Sequence, residues 1–212
     1  MTRRSAAPEL TKRLLSHEKR LSSQGYIRIA GVDEAGRGPL AGPVVAGAVI
    51  LKEHSFKERV DDSKKLSPKK REKAYLEIIE KCIVGVGIVS EKIIDEINIY
   101  RATIKAMEDA IEDLELKPDY VMVDGRMRLS TRCPIKRIVG GDALSLSIAA
   151  ASIVAKVTRD KLMMEYDRTY PQYGFARHKG YGTRSHMEAL KRYGPSPIHR
   201  FSFRPVAIHK LY

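Results

Sequence analysis

Five apolar segments along the chain have the length and the boundaries that are typical of β-strands. The first begins at Tyr26 and ends at two acidic residues, Asp33 and Glu34, and a glycine-rich turn over residues 36–42 follows it. The other four predicted strands cover residues 44–51, 82–89, 120–123 and 134–139. The pattern therefore predicts one sheet of five strands.

Segments with apolar residues at helical spacing separate most of these strands. Ser67 followed by Pro68 is typical of a helix cap with proline in the first turn, and Pro118 stops a later helix. Helices are predicted from residue 68 to the third strand and over residues 91–98, 100–116 and 143–164, with shorter ones over 8–21 and 186–193. Three strands followed by alternating helices and strands predict an α/β fold with a mixed sheet flanked by helices.

Composition divides the chain into three regions. Residues 1–25 are polar and basic and are interpreted as a lead-in segment, and residues 26–165 hold the predicted strands and long helices. From residue 166 to residue 212, glycine and proline become more frequent and the helical pieces are short. This last region predicts a small helical C-terminal subdomain beside the sheet.

The charge indicates a polyanionic partner. Lys and Arg total 39 against 26 Asp and Glu, a net charge of +13 in 212 residues. Residues 151–212 hold 12 of these basic residues and only 4 acidic ones, interleaved with tyrosines and Phe175. Aromatic rings among basic residues suit stacking on sugars or bases beside phosphate contacts, so the C-terminal subdomain is expected to contribute to substrate binding. From charge alone, a basic protein without a specific ligand stays an alternative.

The cysteines and the N-terminus bear on the compartment. Cys82 and Cys133 are the only cysteines and form no C-x-x-C pair, so neither a disulfide framework nor a structural zinc site is indicated. The basic first 28 residues are not followed by an apolar stretch long enough for export or membrane insertion. We therefore expect a cytoplasmic protein without a membrane partner.

Four acidic residues are expected at the ends of predicted elements, where open α/β sheets bind ligands. Carboxylates that converge near an apolar core repel one another unless cations share them. Two divalent ions about 4 Å apart would suit such a set and would drive in-line phosphodiester hydrolysis. Oxygen ligands without clustered Cys or His favour Mg²⁺ or Mn²⁺ over Zn²⁺, and the choice between the first two stays open. The four acids are Asp33, Glu34, Asp124 and Asp142.

Each of these acids also has a structural explanation. The acidic pair before a glycine turn could be a solvated hairpin end. Asp124 could belong to a simple Asp-Gly turn, and Asp142 could cap the helix that follows it. Neighbouring residues in an ideal strand point to opposite faces, so Asp33 and Glu34 share a site only if the strand breaks there.

Residues 36–41 fit the loose dinucleotide-binding pattern G-x-G-x-x-A. In that motif a helix follows the glycines and its N-terminus meets a pyrophosphate, but here Pro43 and a β-branched run follow. We therefore reject the dinucleotide interpretation. Gly36 and Gly38 let the backbone approach a ligand closely, and Arg37 between them offers a cation suited to a phosphate or a sugar edge.

The segment from Gly31 to Leu51 closely resembles the first signature of the type 2 ribonucleases H, in particular bacterial ribonuclease HII. The resemblance covers nearly all of the chain after residue 25. It implies a ribonuclease H-like fold and a metal-dependent endonuclease that cuts the RNA strand of RNA·DNA hybrids and nicks at single ribonucleotides in duplex DNA, leaving 3′-hydroxyl and 5′-phosphate ends. It continues, in the family's order, through Asp62-Ser63-Lys64, Val123-Asp124-Gly125, Gly141-Asp142, residues 149–156, Tyr170-Pro171 and residues 178–182.

The resemblance also implies roles for individual residues. Gly36, Arg37 and Gly38 match the family's motif for the 2′-hydroxyl, the group that separates RNA from DNA. Tyr181 matches a tyrosine that stacks on the deoxyribose following the ribonucleotide, with a packed loop tyrosine as the alternative. Asp33, Glu34, Asp124 and Asp142 match the family's four metal-binding and catalytic acids. Weaker candidates for phosphate contacts or supporting roles are Ser63, Lys64, Lys156, His178 and Arg184.

Two other interpretations compete with ribonuclease HII. The sister type, ribonuclease HIII, carries a sizeable N-terminal substrate-binding domain, whereas only 25 residues precede the first motif here. A nucleic-acid-binding module without catalysis would need the positive charge but would have no use for four convergent acids, which weaken phosphate binding unless metals are present. A small basic nuclease of this kind is expected to act as a monomer.

Overall fold

A five-stranded mixed sheet forms the centre of the fold. This computed structural model describes residues 6–209, with side chains from residue 10 onward. The strands are β1 Ile29–Ala35, β2 Val44–Leu51, β3 Cys82–Val89, β4 Tyr120–Asp124 and β5 Ile135–Ile138, in the spatial order β3-β2-β1-β4-β5. β1 pairs antiparallel with β2 and parallel with β4, and β5 pairs parallel with β4. The predicted α/β fold with a five-stranded mixed sheet is confirmed.

Helices flank the sheet and follow it. The α-helices are α1 Ala6–Leu14, α2 Ser16–Ser22, α3 Pro68–Lys81, α4 Glu91–Glu112, α5 Leu146–Thr169, α6 Phe175–His178, α7 Arg184–Tyr193 and α8 Arg204–Ala207. Short 3₁₀ helices cover Ser63–Lys65, Gly141–Ala143 and Pro171–Tyr173. Within residues 6–209, no helix is long and apolar enough to cross a bilayer.

The two helices predicted over residues 91–98 and 100–116 form one element with a break. Asn98 has a φ of 69° inside α4, and its side-chain Oδ1 accepts the backbone N–H of Arg101 at 3.1 Å. Asn98 therefore ends the first half and caps the second. The second half ends at Glu112, earlier than predicted, because the next residue, Asp113, accepts the backbone N–H of Val86 in β3.

Helix α5 lies directly against β1 and β2 because two strand glycines leave room for its backbone. A Cβ at Gly31 would lie 2.2 Å from the carbonyl carbon of Ser147, and a Cβ at Gly47 would lie 2.6 Å from the carbonyl oxygen of Ala151. The small-residue face of α5 therefore packs closely on the sheet. Helix α4 covers the opposite face of the sheet.

The start of α5 differs from the prediction. A helix from residue 143 was expected, but a 3₁₀ turn over Gly141–Ala143 comes first and α5 begins at Leu146. Ser145 caps it by accepting the backbone N–H of Ile148. The buried carboxylate of Glu18 in α2 accepts the Ser145 hydroxyl at 2.7 Å and the Ser147 amide at 3.0 Å. The helix therefore begins where these bonds satisfy its free N–H groups.

The segment expected to be a polar lead-in contributes to the core. Within the described residues, the predicted helix over 8–21 is two helices, α1 and α2, joined at Leu15. Apolar residues from this segment are buried against the body of the domain, so its basic composition hides an apolar face. These residues are Leu14, Leu15 and Leu21. The first five residues of the segment lie outside the described part of the chain.

The region after the sheet has a small core of its own. The boundary expected between residues 165 and 166 falls inside α5, which continues to Thr169. Beyond it, Tyr173 and Phe175 stack at 5.3 Å between ring centroids. Three buried histidines, His178, His186 and His199, pack around these rings. The helix predicted over residues 186–193 is present as α7, and residues 210–212 lie outside the described part of the chain.

Candidate active site

Asp33 and Glu34 lie inside β1, beyond the end of its pairing with β4. The pairing of β1 with β4 stops at Val32, whereas the pairing with β2 continues to Ala35. The strand break that a shared site was expected to require does not occur on the β2 side, because β2 holds both residues in register. On the β4 side the acids are free of strand pairing, and the Asp33 Oδ1 accepts the Glu34 backbone N–H at 2.7 Å.

Asp124 and Asp142 are linked to each other through one backbone bond. Asp124 is the last residue of β4, and its Oδ1 accepts the N–H of Gly141 at 2.6 Å. That amide opens the 3₁₀ turn that contains Asp142. Because Ser145 caps α5, the interpretation of Asp142 as the helix cap is wrong. Asp124 does precede a turn at Gly125, but its carboxylate also holds the neighbouring acidic turn in place.

The acids influence one another electrostatically. Burial raises the pKa of Asp33 well above its usual value, and the charges of Glu34, Asp124 and Asp142 raise it further. Burial also raises the pKa of Asp142, and the nearby acids Asp62 and Asp124 add to this effect. The structure therefore brings the four predicted acids into one electrostatic group at the end of the sheet.

Two cations offset part of this negative charge. Lys64 Nζ lies 3.7 Å from Asp142 Oδ2, but its side chain is 81% exposed, so water screens the pair. Arg37 Nη1 donates to Glu34 Oε1 at 3.4 Å and opposes the rise that burial causes in the Glu34 pKa. Within the described residues, no three His, Cys, Asp or Glu side chains are already arranged as a metal-binding group.

An open groove runs from the acids to the C-terminal region. Its lining includes most of the residues predicted to contact substrate, together with two residues of α5. It is formed by Glu34, Ala35, Gly36, Arg37, Gly38, Ser63, Lys64, Ser152, Lys156 and Tyr181. The predicted substrate residues are thus brought together, although they come from β1, the turn after it, the 3₁₀ helix Ser63–Lys65 and the loop before α7.

Gly36 and Gly38 differ in what surrounds them. Gly36 has a φ of +97°, and a Cβ there would lie 2.1 Å from Arg159 Nε and 2.8 Å from Pro43 O, so only glycine fits. A Cβ at Gly38 would lie 3.7 Å from Cε1 of Tyr181, which is ordinary contact distance. Gly36 therefore fixes the turn, while Gly38 places open backbone beside the Tyr181 ring.

The weaker candidates fall into different environments. Ser63 is buried and accepts a bond from the Ser152 hydroxyl at 2.8 Å, whereas Lys64 is exposed in the groove. Lys156 lines the groove and donates to Asp160 at 2.8 Å. Arg184 lies on the surface, where it pairs with Glu188. His178 is buried, and its Nδ1 accepts the N–H of Gly180 at 3.2 Å, so it supports the loop that carries Tyr181.

Two buried arginines beneath the glycine turn are absent from the sequence-based set. Arg159 and Arg200 are 1% and 0% exposed. Arg159 donates to the carbonyls of Ala41, Pro43 and Lys179 at 3.0–3.1 Å. Arg200 donates to the carbonyls of Gly36, Arg37, Pro39 and Gly42 at 2.6–3.0 Å. Together they hold the turn over residues 36–43 and connect it to the C-terminal region.

The sequence contains a local signal for one of these arginines, Arg159. Arg159 continues the series Ser152, Ala155 and Met163 at helical spacing along α5, and all four side chains are buried. A charged residue in the middle of such an apolar stripe indicates a buried hydrogen-bonding role. Arg200 lies in a loop without periodicity, so the sequence offers no comparable signal for it.

Comparisons with known proteins agree with this geometry. A family model described as Ribonuclease HII matches residues 30–206. Ribonuclease HII of Acholeplasma laidlawii is 57% identical over 194 residues, which cover 91% of this chain and 95% of that relative. The ribonuclease H2 crystal structure from Pyrococcus horikoshii has a TM-score of 0.74 at 29% identity and covers 86% of this chain and 96% of that chain.

A second solved structure, the PCNA:RNase HII complex from Archaeoglobus fulgidus, has a TM-score of 0.72 at 28% identity. It covers 84% of this chain and 96% of that chain. The family model spans both the sheet and the C-terminal region, and the bacterial relative matches nearly end to end. The chain belongs to the ribonuclease HII family and is a ribonuclease H, an endonuclease that leaves 5′-phosphate ends.

Proposed function

We propose that this ribonuclease H, besides acting on RNA·DNA hybrids, nicks duplex DNA on the 5′ side of a single embedded ribonucleotide and leaves a 3′-hydroxyl. The observation that carries the proposal is a shared groove. Glu34, the turn from Gly36 to Gly38 and the Tyr181 ring line the same cleft. A carboxylate at the cutting site and groups suited to contact the sugar therefore face one polynucleotide.

The glycine turn suits recognition of a 2′-hydroxyl. Gly38 is exposed, Gly36 is buried just before it, and both line the groove, where a 2′-hydroxyl could donate to or accept from free backbone groups. The side chain of Arg37 is 45% exposed, so its guanidinium can bind the adjacent phosphate. Tyr181 is 45% exposed beside Gly38, and its ring would favour a sugar without a 2′-hydroxyl at the next position.

The four acids fit divalent cations. Asp33, Glu34, Asp124 and Asp142 offer only oxygen ligands, a set that suits Mg²⁺ or Mn²⁺. Burial, and after it repulsion between the acids, raises the pKa of Asp33 and of Asp142, and a bound cation would stabilise their charged forms. The chemistry that two bound ions would supply is activation of the attacking water and stabilisation of the leaving oxygen.

The protein's own groups would orient the substrate around this site. Lys64 pairs with Asp142, and because its side chain is 81% exposed it could also contact a phosphate of the substrate. Ser63 is fixed by its bond to Ser152 and would position the Lys64 backbone. Tyr181 lies beyond the end of α5, so we assign the C-terminal region predicted over residues 166–212, which includes the last turn of α5, a part in substrate binding.

We also propose that the protein works as a monomer in the cytoplasm. One chain already brings Glu34, the glycine turn and Tyr181 into one groove, which supports a monomer. Cys82 and Cys133 are free thiols, which suits a reducing compartment. Sedimentation at working concentration tests the first statement, and a dimer there would contradict it.

The test uses a DNA duplex with one internal ribonucleotide, incubated with Mg²⁺ or Mn²⁺ and mapped at nucleotide resolution. We expect a metal-dependent nick on the 5′ side of the ribonucleotide and none in an all-DNA duplex. Asp124→Asn is expected to lower cleavage by about 10³-fold or more while duplex binding stays measurable, because the carboxylate serves the cation more than the affinity.

Other outcomes would change the assignment. Cleavage of long hybrids without a nick at the single ribonucleotide would contradict the finer substrate choice. Equal loss of binding and cleavage in Asp124→Asn would contradict the role of that carboxylate. Binding without any cleavage by the wild-type protein would favour a non-catalytic binding module.

A further inference from the structure

A second concave surface lies beside the acids, at the end of β4 and β5. Arg126 and Arg128 follow β4, and Arg137 lies in β5, opposite Val123. All three arginines are exposed. We call this surface the arginine cleft; it is lined by Gly125, Arg126, Arg128, Arg137 and Val139.

The three arginines of the cleft are not paired with an anion in the part of the chain whose side chains the structure describes. Within residues 10–209, none of them forms an ion pair or a side-chain hydrogen bond, whereas other exposed arginines such as Arg59 and Arg184 pair with nearby acids. Like charges around one concavity repel one another unless an anion joins them. Guanidinium groups match phosphate oxygens in charge and in geometry.

The arginine cleft and the substrate groove lie on opposite sides of the acids. β1, β4 and β5 are parallel neighbours, so their C-terminal ends share one edge of the sheet. Asp33 and Glu34 lie in the last part of β1, beyond its pairing with β4, Asp124 ends β4, and the cleft extends the row to β5. Two strand spacings of about 4.8 Å place β5 roughly 10 Å from β1. The groove with Tyr181 is lined by the turn that leads from β1 to β2, and β2 lies on the side of β1 away from β4 and β5.

We propose that the arginine cleft binds the phosphate backbone of the duplex on the 5′ side of the cut. The inference rests on the proposed function, in which Tyr181 contacts the nucleotide on the 3′ side. A duplex centred on the acids and held by Tyr181 on one side continues past β4 and β5 on the other. At a rise of 3.4 Å per base pair, roughly 10 Å corresponds to about three base pairs from the cut.

The first experiment measures binding without cleavage. Dissociation constants are determined without divalent metal for a DNA duplex with one ribonucleotide, over a series of salt concentrations. Arg137→Ala and Arg126→Ala are each expected to raise the dissociation constant about threefold or more and to lower the salt slope by about 0.9, the effect of losing one phosphate contact. Arg137→Lys keeps the charge and is expected to keep the slope.

Arg132→Ala is the matched control. Arg132 is also exposed and lies in the same β4–β5 connection, but near the start of β5 and therefore at the opposite end of the sheet from the acids. Its removal is expected to leave the salt slope unchanged. Equal losses in Arg132→Ala and Arg137→Ala would mean that the effect is general charge loss and would overturn the proposal, as would unchanged slopes in both cleft variants.

The second experiment locates the contact. KM is compared between wild type and Arg137→Ala on substrates whose 5′ or 3′ flank is shortened to two base pairs. We expect the difference in KM to vanish when the 5′ flank is shortened and to persist when the 3′ flank is shortened, with kcat unchanged. The reverse pattern would overturn the placement. A wild-type enzyme that fails to nick at the ribonucleotide would contradict the proposed function, while the salt slopes still decide whether the cleft binds phosphate.

Discussion

The acids at the end of the sheet and the arginines beneath the glycine turn are both charged groups removed from water, but their surroundings differ. Arg159 and Arg200 donate only to backbone carbonyls, and these bonds use most of their N–H groups. Burial lowers the pKa of Arg159 to about 10 and that of Arg200 to about 9, so both remain charged at neutral pH. Their charge is satisfied inside the fold.

The acids have much less compensation. Asp33 is 4% exposed and accepts one backbone bond, while three other acids raise its pKa. The cations nearest to the group, Lys64 and Arg37, are both substantially exposed. The comparison teaches that buried charges whose hydrogen bonds are made within the protein stabilise the architecture. Buried charges without enough such partners indicate a site that binds an ion or a ligand from solution.

The largest expected effect comes from neutralising an acid. Asp33→Asn keeps the oxygen that accepts the Glu34 N–H but removes the repelled charge. We expect cleavage to fall by about 10³-fold or more, and we expect the unfolding free energy in metal-free buffer to rise by about 1 kcal/mol, or roughly 2–4 °C in Tm. Cleavage assays and thermal denaturation with a chelator check the two parts.

Asn and Asp have the same shape, so Asp33→Asn separates charge from packing. A lower Tm in metal-free buffer would mean that the Asp33 charge stabilises the fold, and the contrast with the arginines would fail. Ser196→Ala, which alters a buried hydroxyl far from the acids in sequence, serves as a control for assay conditions because its cleavage rate is expected to stay close to that of wild type.

Removing a buried arginine is expected to lower the unfolding free energy, whereas removing the Asp33 charge is expected to raise it. Arg200→Ala leaves four backbone carbonyls without their donor, so we expect a loss of about 4 kcal/mol in unfolding free energy. Urea denaturation measures the loss. Arg184→Ala, at a side chain that is 93% exposed, is expected to change stability by no more than about 0.5 kcal/mol.

The two arginines hold the same turn, which sharpens this prediction. Arg159 bonds Ala41 and Pro43, on either side of the Gly42 carbonyl that Arg200 bonds. The double variant is therefore expected to lose less than the sum of the single losses. Strict additivity would indicate that each arginine supports a separate part of the fold.

The acids could be predicted from sequence, whereas the arginine contacts could not. Strand and turn signals place Asp33, Glu34, Asp124 and Asp142 near the ends of predicted elements, and the resemblance to the type 2 ribonucleases H implied their role. The bonds of Arg200 join residues 158–164 positions apart, and no local pattern encodes such a contact.

The errors in the predicted elements have the same origin. The break of β1 that a shared site was expected to require is absent on the β2 side because pairing with β2, a tertiary contact, keeps the strand regular. The lead-in segment was misjudged because its buried face contacts the start of α5, more than a hundred residues away. Element type was predicted well because hydrophobic periodicity is a local property of the sequence. The boundaries were predicted less well because they depend on contacts with residues that are distant in sequence.

Two buried histidines in the C-terminal region predict an effect of pH on stability. Burial lowers the pKa of His186 to about 4 and that of His199 to about 3, and their Nε2 atoms lie 2.9 Å apart. The unfolded chain takes up protons near pH 6.5 while the folded chain does not, so stability falls as pH drops below 6.5. We expect a loss of about 2 kcal/mol between pH 7.5 and 5.5, measured by urea denaturation in metal-free buffer.

The buried acids oppose this loss of stability at low pH. Because the folded pKa of Asp33 is raised, protonation on acidification relieves repulsion and adds stability. Asp33→Asn removes that gain, so its stability is expected to fall more steeply with pH than that of wild type. Parallel pH profiles for the two proteins would show that the acids do not repel as described.

The smallest expected effect concerns Tyr181, which links the two regions. Its ring faces Gly38 in the groove, and the chain just before it is held by the bond from Arg159 to the Lys179 carbonyl. Tyr181→Ala is expected to lower kcat/KM at a single ribonucleotide by about tenfold, the cost of losing one stacking contact. The loss in long hybrids should be smaller, since every following sugar there carries a 2′-hydroxyl. Tyr181→Phe keeps the ring and should retain most activity on both substrates, whereas equal losses on both in Tyr181→Ala would mean that Tyr181 does not recognise the junction.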